Sequence, residues 1–139
     1  MEGPNPHAGY SVTVSSIPHL SDDLLPEGTA TYNLATVSKG LGVSQSKVLQ
    51  LLRDRQLLAV RRGGDLHIPR LFFGEVDGRF SIAKHFTGLL VVLHDGGFTD
   101  DEILRWLFEP QDDLDGCPAE LLHTDSAREM IRRAQSMAF

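Results

Sequence analysis

The sequence predicts a mainly α fold: a winged helix-turn-helix with a two-stranded wing, followed by a small helical C-terminal domain. Three observations carry that reading. Two short amphipathic stretches meet at Gly42, each preceded by a good capping residue, Asn33 and Ser44. A Gly63-Gly64 pair then separates two short runs that mix apolar and basic residues, the signature of a tight hairpin. Further on, helical periodicity recurs, and Thr99 stands three residues before Glu102 as in a capping box. The chain accordingly divides into a disordered N-terminal arm (1–30), a winged helix-turn-helix (31–73) and a helical C-terminal domain packing on it (74–139).

The arm is rich in Pro, Gly, Ser and Thr and shows no sustained period. Alternation of Val12, Val14 and Ile17 with polar residues leaves room for a short docking strand there. Ser11, Thr13, Ser15 and Ser16 would be open to a kinase in such an arm. After Asn33, positions 34–41 place Leu34, Val37 and Leu41 on one face, and Gly42 ends the helix because it accepts a positive φ. Ser44 caps a second helix running from Gln45 to about Arg55. Its inward stripe is Val48, Leu51 and Leu52 with Leu49 at one edge, and its outward face carries Gln45, Ser46, Lys47, Gln50 and Arg53. The hairpin arms 58–62 and 66–69 form the wing, which Pro69 stops because proline cannot donate to a ladder.

Residues 74–81 read as a loop or short hairpin around Asp77-Gly78. A helix follows from about Lys84 to Asp95, with Phe86, Leu89, Leu90 and Leu93 inward and Gly96-Gly97 as its terminator. The next, Asp100 to Phe108, buries Ile103, Leu104, Leu107 and Trp106, with Asp100 and Asp101 at the positive end of the helix dipole. An acidic loop over 110–118, a helical turn at 119–123 and a last helix over 126–138 complete the chain.

Composition and charge narrow the function. Hydrophobic residues make up 41% and charged residues 23%, as in ordinary globular proteins. No apolar run approaches the roughly 20 residues that span a bilayer. No basic stretch leads an apolar core at the N-terminus, so no secretory leader is expected. One cysteine, Cys117, suits a reducing cytoplasm. The net charge of -6 is unevenly spread. Residues 31–73 hold Lys39, Lys47, Arg53, Arg55, Arg61, Arg62 and Arg70 against only Asp54 and Asp65, whereas both flanking segments are net acidic. A basic module between acidic ends points to double-stranded DNA.

The candidate DNA-binding residues follow from that geometry. A recognition helix presents short polar and basic side chains at its N-terminal end to the major groove. Ser44, Gln45, Ser46, Lys47 and Gln50 have that chemistry, and Arg53 lies where it can hold a phosphate. Arg61 and Arg62 belong to a hairpin that would track the backbone or minor groove, contacts that fix position more than sequence. Lys39 and Arg70 are further phosphate candidates.

Catalytic chemistry is missing from the pattern. The six histidines are dispersed, without a pair at ligand spacing, so neither a metal site nor a cofactor is expected. His94-Asp95 is better read as charge trimming at a helix end. Asp112, Asp113 and Asp115 lack the later glutamate of a calcium loop. No phosphate-cradling glycine motif occurs. The reading is therefore a binding protein and not an enzyme.

The run Tyr32-Asn33-Leu34, Leu41-Gly42-Val43-Ser44, Lys47-Val48, Leu51-Leu52, Ala59-Val60-Arg61-Arg62-Gly63-Gly64 and Ile68-Pro69 resembles the winged helix of excisionase-like and MerR-like DNA-binding domains. Through residues 93–98, Arg105-Trp106-Leu107-Phe108, Pro110, Ala127-Arg128-Glu129 and Arg132-Arg133-Ala134-Gln135, nearly the whole chain resembles a group of small actinobacterial DNA-binding proteins. These join that winged helix to a characteristic C-terminal helical domain, and a mycobacterial member is a Ser/Thr protein kinase substrate. The resemblance implies a cytoplasmic, nucleoid-associated transcriptional regulator with a phosphorylatable threonine in its arm, for which Thr13 is the nearest candidate. The C-terminal part alone is similar to the helical domain of certain antitoxins in Trp106-Leu107, Pro110, Gly116 and Pro118-Ala119-Glu120-Leu121-Leu122. That second likeness implies a protein partner or self-association, and an antitoxin-like adaptor with weak or no DNA binding as the alternative function.

Overall fold

A computed structural model describes residues 20–138. Ser11, Thr13, Ser15 and Ser16, and the strand expected around Val12 to Ile17, lie outside the described residues. In chain order the elements are β1 (Ser21–Asp22), β2 (Thr31–Tyr32), α1 (Leu34–Leu41), α2 (Gln45–Arg53), β3 (Val60–Arg62) and β4 (Asp65–Pro69). After a 3-10 turn over Arg70–Phe72 come β5 (Phe73–Val76), β6 (Arg79–Ile82), α3 (Phe86–Asp95), α4 (Asp100–Phe108), α5 (Pro118–Leu121) and α6 (Ala127–Ala138).

The helix-turn-helix forms for the expected local reasons. Asn33 accepts from the Thr36 amide at 2.8 Å, and Gly42 closes α1 at φ 71°. Ser44 accepts from the Lys47 amide at 3.1 Å. These bonds satisfy amides that a helix start leaves without intrahelical partners. Helix α2 stops at Arg53, two residues short of the expected end, because Arg55 turns the chain into the left-handed region at φ 58°. Val48 and Leu52 are buried beneath it, while Leu49 and Leu51 are half-buried against the same core.

The wing is broader than two strands. Hairpin β3–β4, turned on Gly63 and Gly64 with positive φ, is flanked on both edges, giving the order β1-β3-β4-β2. Strand β1 runs parallel to β3 with Ser21 opposite Val60 and Asp22 opposite Arg61. Strand β2 runs antiparallel to β4, with Tyr32 opposite Ile68. Both hairpin edges are thus covered by main chain and not left open to chance pairing. This corrects the arm as drawn over 1–30: within it, residues 21–22 form a sheet edge and Leu20 and Ser21 are buried. Two-residue strands carry no period that a sequence can display, and the wing supplies their pairing.

The segment expected as a loop or short hairpin is the hairpin β5–β6, turned on Asp77 and Gly78 with φ of 54° and 76°. Phe73 and Phe80 stack at 5.1 Å, and Tyr32 meets both rings edge-on at 5.8 Å. The hairpin docks on α1 at Gly40, where a Cβ would lie 2.7 Å from the Phe80 ring. The chain remains mainly α with six α-helices among the described residues, but the sheets are more than a two-stranded wing.

Helices α3 and α6 pack along each other, and α4 packs on α5. Phe86, Leu89, Leu90 and Leu93 are buried as expected, as are Ile103, Leu104 and Leu107. Trp106 is only half-buried. Phe72 stacks on Phe86 at 4.3 Å and meets Phe108 at 5.9 Å, so one apolar cluster runs from the winged helix into the C-terminal helices.

Candidate nucleic-acid interface

Helix α2 supplies the more open of two basic surfaces. Its outer side brings Ser46, Gln50 and Arg53 into one stripe by their i, i+4, i+7 spacing, with Lys47 beside it. All four are exposed, as are Ser44 and Gln45 at the helix start. Lys47 and Arg53 form no ion pair among the described residues. The Ser44 hydroxyl is spent as an acceptor on the cap but keeps a proton to donate. Because Val48 and Leu52 fix the opposite face in the core, these side chains project from a rigid base.

The wing carries its arginines differently. Arg61 Nη1 lies 3.1 Å from Asp22 Oδ1. Arg62 grips Asp23 with two donors, Nε at 2.8 Å and Nη2 at 3.3 Å. That fork holds the Asp23 carboxyl below its ordinary range and raises the Arg62 guanidinium, since each charge favours the other. The expected wing contacts are therefore occupied from within the chain. Asp22 and Asp23 carry no signal in the sequence, where they read as two acids of an arm some 39 positions away.

Of the remaining cations in this segment, Lys39 is exposed near the end of α1, and Arg70 lies over the Tyr32 ring at 4.8 Å. Arg55, just beyond α2, approaches Asp100 with Nε 3.6 Å from Oδ1. Asp100 is 8% exposed, at the first position of α4, and also meets His94 Nε2 at 2.9 Å. A carboxylate so enclosed is stable only with such partners. The Ser21 hydroxyl donates to Asp101 next door. This polar seam fastens the exit of α2 and the start of β1 to the C-terminal helices. The sequence marks Asp100 and His94 only as dipole and helix-end residues; their shared burial depends on the tertiary fold.

Among the described residues no catalytic arrangement competes with the basic surfaces. Cys117 is buried, and burial pushes its thiol up, away from the reactive thiolate. Among the described residues no group of three His, Cys, Asp or Glu side chains is placed to hold a metal ion, and no helix is long and apolar enough to cross a membrane.

Comparison with known proteins gives this architecture a family. Residues 16–73 match the family model described as the winged helix-turn-helix domain of DNA-binding protein Rv2175c, and residues 83–138 match the Rv2175c C-terminal domain of unknown function. The intervening stretch is largely the β5–β6 hairpin. The chain is 45% identical over 138 residues to the DNA-binding protein Rv2175c of Mycobacterium tuberculosis, covering 91% of this chain and 92% of that protein. The NMR structure of Rv2175c superposes with a TM-score of 0.76 at 44% identity, over 89% of this chain and 90% of that one. Matched through both domains and in fold, the chain belongs to the Rv2175c family of winged helix-turn-helix DNA-binding proteins.

Proposed function

We propose that this protein binds double-stranded DNA by inserting the N-terminal half of α2 into the major groove. The observation that carries the proposal is the exposed Ser46, Lys47, Gln50 and Arg53 surface on a helix whose opposite face is locked in the core. Gln50 and Lys47 have the chemistry to read base edges, glutamine by paired hydrogen bonds to adenine and lysine toward guanine acceptors. Ser44 and Arg53 have the reach and polarity to hold phosphates on either side. This face carries only two cations, Lys47 and Arg53, which favours modest, salt-sensitive binding over tight coating of DNA.

The test is fluorescence anisotropy on duplex fragments across a salt series. Replacing Lys47 and Arg53 together by Ala removes two cations, so affinity at low salt should fall at least tenfold. The slope of log affinity against log salt should shrink by about 0.9 for the Arg53 phosphate contact, and by up to about 1.8 where Lys47 also neutralises a phosphate. Unchanged affinity and slope would remove α2 from the interface.

A further inference from the structure

The wing arginines are where a DNA backbone would be expected to be held, yet their donors already face oxygen acids. Asp23 sits in the Arg62 fork in the two-point geometry that a guanidinium also offers to a phosphate. Asp22 faces Arg61 one register position along the same strand pair. Both carboxylates come from β1 and the residue after it, a strand only two residues long. Its start is anchored by buried Leu20 and by Ser21, whose hydroxyl reaches Asp101 of α4. The acids themselves lie on the outer side, with Asp22 86% exposed at its side chain. An anchored strand end that carries two exposed carboxylates can release them without unfolding the wing.

We propose that Asp22 and Asp23 act as built-in phosphate mimics that mask Arg61 and Arg62 and are exchanged for DNA phosphates on binding. This rests on the DNA-binding reading above and adds a gate to it. The α2 face makes first contact, and the wing engages only when backbone phosphates outcompete the tethered acids. Exposed ion pairs are individually weak, so the strand tunes affinity and does not abolish it. The exchange also flattens the salt response, because each phosphate taken by a wing guanidinium releases a counterion from DNA while the freed carboxylate gathers one, leaving little net release.

The experiment measures duplex affinity across a salt series for the full chain, for Asp22→Asn with Asp23→Asn, and for a charge-matched control, Asp112→Asn with Asp115→Asn in the exposed acidic loop. Unmasking should tighten binding by roughly 3- to 10-fold and steepen the salt slope by up to about 1.8, while the control moves affinity much less. Arg62→Gln should then cost more affinity in the unmasked protein than in the unaltered chain. Equal gains in the control and the double variant would reduce the effect to net charge and overturn the proposal. Weaker or unchanged binding would also overturn it, since the pairs would then hold the wing in its reading pose or take no part. The unaltered chain separates the two ideas: if it does not bind at low salt, the DNA reading itself fails.

Discussion

The recognition helix and the wing belong to the same basic segment but are secured by opposite physics. Helix α2 is held from behind, by Val48 and Leu52 in the core, by the Ser44 cap in front and by the Arg55–Asp100–His94 seam at its exit. Its outer face is left without acidic partners among the described residues. The wing is also rooted in the core, through Val60 and Ile68, but its outer guanidiniums are tied at the surface to Asp22 and Asp23. Apolar burial is nearly indifferent to salt and mild acid, whereas exposed ion pairs respond to both. The α2 face is therefore set by burial, and the wing pairs can be adjusted at little cost to the fold.

The largest break in that comparison should come from the helix support. Leu52→Ala leaves a cavity under α2, and such truncations cost about 2–5 kcal/mol depending on how far the site collapses. Chemical denaturation should report that loss, while DNA affinity of the still-folded fraction changes little. A loss below about 1 kcal/mol would mean that α2 is not seated as firmly as its burial implies. Neutralising Asp22 and Asp23 should do the reverse, altering DNA affinity with little effect on stability.

A smaller effect tests the front of the helix. In Ser44→Ala the Lys47 amide loses its side-chain acceptor, at about 1 kcal/mol. Ser44→Asp should retain the cap and complement the positive helix end, yet place a carboxylate against DNA. Stability near that of the unaltered chain, combined with weaker DNA binding, would separate the capping role of Ser44 from its proposed place at the interface. If Ser44→Asp bound DNA as well as the unaltered chain, Ser44 would lie outside the contact surface.

Elements set by local chemistry are legible in the residues themselves. Asn33, Gly42, Ser44 and the Thr99–Glu102 capping box occur where the chain starts and stops its helices. The apolar spacing of α3 and α4 picks out the buried residues, apart from a half-exposed Trp106. Features that depend on partners distant in sequence are not legible in this way. The two-residue strands β1 and β2 exist because β3 and β4 offer them edges. Arg55 ends α2 early although nothing about an arginine announces a positive φ. At the candidate interface, helix periodicity alone selects the polar residues of α2. It says nothing of the state of Arg61 and Arg62, because an exposed basic hairpin and a neutralised one have the same local sequence.

The smallest effect concerns acid. The Arg62 fork lowers the Asp23 pKa below its ordinary value of 3.8, so the pair stabilises the fold fully above that value and loses its contribution as pH falls through the lowered one. Asp23→Asn removes the ionisable group altogether. At pH 6 the variant should be less stable by roughly 0.5 kcal/mol, as for other exposed pairs, and the gap should narrow as the pH falls below 3.8 and through the lowered value, where Asp23 of the unaltered chain takes up its proton. Glu129 offers an internal reference, since hydrogen bonds from Arg132 and Arg133 hold it at about 2. Denaturation of both proteins across a series from pH 6 downward checks the sign. A gap that stayed the same size as the pH fell from 6 to well below 3.8 would mean that the Asp23 side chain acts through its shape and not its charge, and the wing would then be held in the same way as the helix.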